Sequence, residues 1–193
     1  MVSSEAGRRV SPAGLFFSAA RVHSTLMSAT PPPHAVVFIR RAVPADTATL
    51  RAVILPSWRS IYLDRVGAEN LARMAAARLS AQALLNVIGD PGLCAALAFA
   101  GPAAAGAVFA RPRAGQVHID SLHVRAGFKR RGVGRALLDF AAGAFSSCAG
   151  MTLNVEAANA EALAFYLRLG FRVVGEGAED VAGVSLAVRM LAR

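Results

Sequence analysis

From Val117 to Phe145 an apolar run, a glycine turn and an apolar-faced helical pattern follow one another without a break. Val117 to Val124 has the composition of a strand, Gly127 to Gly132 that of a loop, and Val133 to Phe145 that of a helix with Val133, Leu137, Leu138 and Phe140 on one side. The turn is Phe128-Lys129-Arg130-Arg131-Gly132-Val133-Gly134-Arg135. Two glycines one residue apart allow a tight turn and a close approach of backbone to a ligand. The first N–H groups of a helix have no partner inside it, and its dipole adds partial positive charge there. A strand feeding such a turn is an anion site.

Charge points the same way. Arg111, Arg113, Arg125, Lys129, Arg130, Arg131 and Arg135 lie in one stretch with a single acid, Asp120, so that stretch carries +6 of the chain's net +9. A basic cluster around a glycine turn suits a phosphate-bearing small molecule or a nucleic acid. Two phosphate loops are excluded, because neither G-x-x-x-x-G-K-[ST] nor G-x-G-x-x-G followed by an acid at the next strand end is present. Nucleic-acid binding lacks aromatic interleaving and a recognised motif.

The rest of the chain supplies a frame. Val36 to Ile39 reads as a strand. Pro44-Ala45-Asp46 opens a helix with Asp46 as N-cap, and Pro56 breaks or kinks it. A second helical stretch runs from Ala68 to Val87 and stops at Gly89-Asp90-Pro91. Pro91 to Ala110 carries no charge and is long enough to span a bilayer, but Gly101-Pro102 reads as a turn between strands near Leu93–Phe99 and Gly106–Arg111. Pro112 to Gly115 is another turn. Met151–Val155 is a strand, Asn159–Leu169 a helix closed by Gly170, and Arg172–Val174 and Val184–Leu191 are the last strands. This order predicts an α+β (mixed α/β) fold. Residues 1–34 have little periodicity and are expected to be a disordered extension, with a native start at Met27; residues 35–193 are expected to form one domain. Cys94 and Cys148 lack metal-ligand or disulfide spacing, so no metal is expected and both read as thiols in a reducing compartment, the cytoplasm.

The glycine turn resembles the acyl-CoA-binding motif of the GNAT superfamily of N-acetyltransferases, Q/R-x-x-G-x-G/A. Lys129, Gly132 and Gly134 fall on its defined positions, with Lys129 in place of the usual Gln or Arg, and Leu122-His123-Val124 matches the preceding strand end. Downstream, Leu153-Asn154-Val155 followed by Asn159, Ala162, Tyr166, Leu169, Gly170 and Phe171 resembles the family's N-x-x-A-x-x-x-Y-x-x-L-G-F pattern. The resemblance runs from about Val36 to the C-terminus. It implies a central, mostly antiparallel sheet of six or seven strands, splayed in the middle and flanked by about four helices. It also implies acetyl-CoA as co-substrate and acetyl transfer to a primary amine of a small molecule or peptide, by direct attack in a ternary complex. A monomer or homodimer is expected, with no nucleic-acid or membrane partner.

On that resemblance the cofactor is held by Leu122, His123, Val124, Lys129, Arg130, Arg131, Gly132, Val133, Gly134, Arg135, Asn159 and Tyr166. Tyr166, two helical turns after Asn159 and so on the same face, is the candidate general acid. Asp120 shares a strand face with Leu122 by alternation and is one candidate base; Glu156, just past Val155, is the other. Trp58 and Tyr62 fall where the family builds its acceptor pocket. A silent acyl-CoA-binding sensor of the same fold is the competing reading, with a basic nucleic-acid-binding domain behind it.

Overall fold

The computed structural model describes residues 37–193. The expected disordered extension and the Met27 start lie outside them. Among the described residues, seven strands form one sheet: β1 (Val37–Arg41), β2 (Cys94–Ala100), β3 (Ala103–Arg113), β4 (Gln116–Val124), β5 (Met151–Glu156), β6 (Arg172–Val181) and β7 (Val184–Ala192). The spatial order is β1-β2-β3-β4-β5-β7-β6, antiparallel throughout except for β4 against β5. Helices α1 (Thr47–Leu79) and α2 (Ala81–Gly89) cover one face; α3 (Val133–Ala144) and α4 (Ala160–Arg168) cover the other.

The uncharged Pro91–Ala110 segment is the β2–β3 hairpin, with Gly101 in the left-handed region at its turn. Facing alternates along β2. Cys94, Ala96 and Ala98 pack toward α3, whereas Ala95 and Leu97 pack toward α1 and α2. A strand buried on both faces reads as a continuous apolar run, which accounts for the missing charge. No helix among the described residues is long and apolar enough to cross a membrane.

Several local expectations are corrected. Pro56 does not break α1; the break comes at Gly67, with φ 78° and ψ 165°. Pro56 is exposed while Val53 and Ile54 are buried beside it, so packing of the inner face carries the helix past the lost N–H. The predicted Ala68–Val87 helix is two helices, divided at Ser80, whose hydroxyl accepts the Ala83 N–H at 3.2 Å as the N-cap of α2. Asp46 makes no side-chain cap. Its carboxylate instead accepts Arg40 at 2.6 and 2.9 Å and the Val43 N–H at 2.8 Å, and the Arg40 hydrogen bond holds it below the usual carboxylate range. β3 continues through Pro112 to Arg113, and β6 runs on to Val181 because β7 pairs with it throughout as a hairpin.

Two irregularities in β4 matter for the site. Ala110 pairs with Ile119 but Phe109 pairs with Ser121, so Asp120 is the extra residue of a bulge. The bulge resets the alternation. Leu122, opposite Val108, packs into the α3-side core, and His123 turns to α1, so the expected shared face of Asp120 and Leu122 is overturned. Further along, β4 and β5 pair only at Val117–Met151, His118–Thr152 and Ile119–Leu153. Asn154, Val155 and Glu156 pair with β7 alone, and the sheet is splayed there.

Candidate active site

The glycine turn sits at the end of β4, beside the splay. Phe128, buried, anchors the short 3-10 turn Ala126–Phe128 below it. Arg130 and Gly132 both have positive φ, 61° and 80°, and Gly132 is the N-cap of α3. A Cβ on Gly132 would meet no atom within 4 Å, so the turn is open above the helix N-terminus. Gly134 has a different reason. A Cβ there would lie 2.9 Å from Phe165 Cζ, so its lack of a side chain lets α4 approach α3. Val133 is buried under the turn, while Arg135 is exposed and 3.8 Å from Asp139 one helical turn on.

Lys129 reaches α4 and pairs with Glu161 at 2.7 Å. Arg130, Glu161 and Arg168 line an open cleft between the turn and α4. Arg131 stands in the turn between Arg130 and the cap. The turn, α3 and α4 thus converge on one rim of the splay. The arrangement can receive a diphosphate on backbone N–H groups and surround it with guanidinium groups.

Asn159 is the N-cap of α4. Its side-chain oxygen accepts the Ala162 N–H at 3.0 Å, so it faces its own helix. Tyr166 is 7% exposed, held edge-on between Phe165 at 5.0 Å and Phe171 at 5.4 Å. Burial pushes its hydroxyl well above the ordinary range, which keeps it protonated at neutral pH.

On the opposite face of the sheet the two carboxylate candidates are both paired. Asp120, in the bulge, accepts Arg111 of β3 at 2.7 Å. Glu156, at the end of β5 where β4 has separated, accepts Arg65 of α1, and a second Arg65 nitrogen donates to the Ala158 carbonyl at 3.3 Å. Tyr62 lies one helical turn before Arg65, in edge contact with Trp58 at 6.0 Å. Both aromatics pack against the cluster that Met74 forms with Val181 and Val184 of the β6–β7 hairpin. Burial first, then Glu156 and Glu179, push the Tyr62 hydroxyl up to about 12. Trp58, Tyr62 and Glu156 therefore lie on the α1 side of the sheet, with the Glu156 charge felt at the Tyr62 hydroxyl.

His123 reaches Ser57 of α1, Nδ1 to Oγ at 3.1 Å, and desolvation beneath that helix pushes its pKa down to about 4. Between about pH 4 and 6.5 the unfolded chain binds more protons at this ring, so stability rises with pH. The contribution is complete above the unfolded value and is lost as pH falls toward the folded one. At roughly 1.4 kcal/mol per unit it amounts to up to about 3 kcal/mol. Urea midpoints at pH 7 and pH 4.5 should differ more in the native chain than in His123→Gln; equal differences would remove this assignment.

Against this geometry, the sequence profile described as "Acetyltransferase (GNAT) domain" matches residues 62–190. The chain belongs to the GNAT acetyltransferase family. No curated protein sequence matches it. Among solved structures, the GNAT fold recurs in PaiA N-acetyltransferase from Thermoplasma acidophilum, determined in complex with coenzyme A. That structure has 22% identity and a TM-score of 0.68, covering 80% of this chain and 98% of that one. A GCN5-related N-acetyltransferase from Rhodopseudomonas palustris has 21% identity and a TM-score of 0.66, covering 83% and 96%. An acetyltransferase from Thermus thermophilus has 24% identity and a TM-score of 0.62, covering 83% and 99%.

Arg65 and Ser57 did not emerge from the sequence of this GNAT chain. Arg65 is three residues after Tyr62, a same-face spacing visible in α1, but Glu156 is 91 residues away and nothing local links them. Asn154 and Glu156, two apart on β5, share a face, which the strand period alone predicts.

Proposed function

We propose that the protein transfers an acetyl group from acetyl-CoA to a primary amine. The open, left-handed Gly132 turn at the N-terminus of α3, beside the β4–β5 splay, carries this reading. Its N–H groups and the adjacent Arg130, Arg131 and Arg135 receive the diphosphate. The free backbone of β4 past Ile119 receives the pantetheine as an added strand would, and an N–H at Leu122 or Val124 polarises the acyl carbonyl. Acetyl-CoA supplies the acyl group when bound. Trp58 and Tyr62 wall the acceptor pocket. Glu156 takes the proton that the amine loses as the C–N bond forms. Tyr166, protonated by its environment, gives one to the sulfur as the C–S bond breaks. Of the two carboxylates, Glu156 is favoured because its side chain is only 11% exposed and lies at the splay beside Tyr62.

The test is thiol release from acetyl-CoA across a panel of small amines and peptide N-termini, with acetyl-CoA affinity measured by calorimetry. Turnover with at least one amine class is expected; binding without turnover on any amine would instead support the sensor reading. Gly132→Asp probes the turn without disturbing packing, since the position is open and Asp tolerates positive φ. Its carboxylate would stand where the diphosphate sits and weaken acetyl-CoA binding about a hundredfold, or ~3 kcal/mol. The neutral Gly132→Asn should lose far less. Equal affinities in the two variants would mean that the diphosphate binds elsewhere.

A further inference from the structure

We propose that Arg65 is a positioning residue that holds the Glu156 carboxylate at the open end of the β4–β5 splay. This rests on the reading of Glu156 as the base. The backbone of Glu156 is already fixed by pairing with Val188 and by the Ala157 N–H on the Ala187 carbonyl at 2.8 Å. What remains free is the side chain, in a place where β4 no longer offers a neighbour. Arg65 removes that freedom with two donors on two acceptors, the Glu156 carboxylate and the Ala158 carbonyl, so the guanidinium plane is defined at both ends.

The contact is directional for a further reason. Arg65 comes from the last turn of α1 before the Gly67 break, and the same helical face carries Tyr62 and Trp58 against the β6–β7 hairpin. One rigid helical segment thus sets the acceptor walls and the carboxylate orientation together. The Arg111–Asp120 pair differs. It joins neighbouring strands across a bulge, with the Asp120 side chain 29% exposed against 11% for Glu156. It ties β3 to β4 without reaching another element.

A pair that only stitched α1 to the sheet would show in the melting curve and in acetyl-CoA KM as much as in kcat. A positioning residue acts through Glu156, so its loss is felt only when Glu156 is present. The measurement is a kinetic cycle of Arg65→Gln, Glu156→Gln and the double variant, with Arg65→Lys as rescue and circular dichroism to follow folding. Arg65→Gln is expected to lower kcat about tenfold to thirtyfold with acetyl-CoA KM within about twofold, and Glu156→Gln about a hundredfold or more. The double variant should be no slower than Glu156→Gln alone, and Arg65→Lys should recover part of kcat. Equal factors for Arg65→Gln in both backgrounds would overturn the proposal while leaving acetyl transfer standing. Full activity of Glu156→Gln would overturn the base assignment and this inference together.

Discussion

Tyr166→Phe should lower kcat for acetyl transfer by about two to three orders of magnitude while leaving acetyl-CoA affinity within about twofold. The substitution removes one oxygen and keeps the ring, so the edge contacts with Phe165 and Phe171 survive. Stability should change by no more than about 1 kcal/mol, the usual net worth of a hydroxyl's interactions. A tyrosine in a core of this kind is neutral across the physiological range, because burial disfavours its charged form. Burial therefore keeps the proton on the oxygen at rest, and because it also weakens the acid, transfer waits for the charge that develops on the departing sulfur. Steady-state rates with the best amine, alongside calorimetry, separate the two effects. An unchanged kcat would return Tyr166 to the role of a packing aromatic and leave proton delivery to water.

The second large effect is structural. Gly106→Val is expected to destabilise the fold by about 3 kcal/mol or more, and a thermal melt or urea titration should show it directly. A Cβ at 106 would sit 2.7 Å from the His123 carbonyl oxygen, 3.0 Å from Leu137 Cδ1 and 3.3 Å from Val133 Cγ1. The first of these is backbone in the adjacent strand, one residue before Val124, the register partner of Gly106, and cannot swing away as a side chain does. The position also fixes the floor under the glycine turn, since Val133 opens α3 and Leu137 lies one turn along it. Relief of the clash would push α3 away from β4, so loss of acetyl-CoA binding should accompany partial loss of stability. A native-like melting temperature in this variant would show that β3 and α3 can separate without cost.

Much of the frame is legible in the residues. The strand, glycine turn and helix from 116 to 144 occur where the pattern puts them, because each is encoded by local spacing: apolar alternation, then Gly132 at positive φ, then apolar residues three and four apart. The later strand–helix–glycine pattern is equally local, down to Gly170 at positive φ after α4. Failures fall where packing competes with local preference. Pro56 is tolerated because Val53 and Ile54 are buried on the inner side of the same turn. Asp46 gives up its cap because Arg40, on the neighbouring strand, offers a charge-assisted pair. β6 extends past Val174 to Val181 because pairing with β7 carries it there, although its glycines and acids carry no strand signal.

The sequence by itself determined the glycine turn, the fold class and the residue types available to a reaction, since these follow from short-range periodicity and backbone freedom. Tertiary structure decided which of those residues meet. A one-residue bulge at Asp120 reverses the facing of Leu122 and His123, and a parallel pairing that ends at Ile119–Leu153 opens the splay. The pairing of Arg65 with Glu156 across 91 residues depends on how α1 lies over the sheet. Such contacts are set by register and by the close-packed core, and no local pattern in the chain records either.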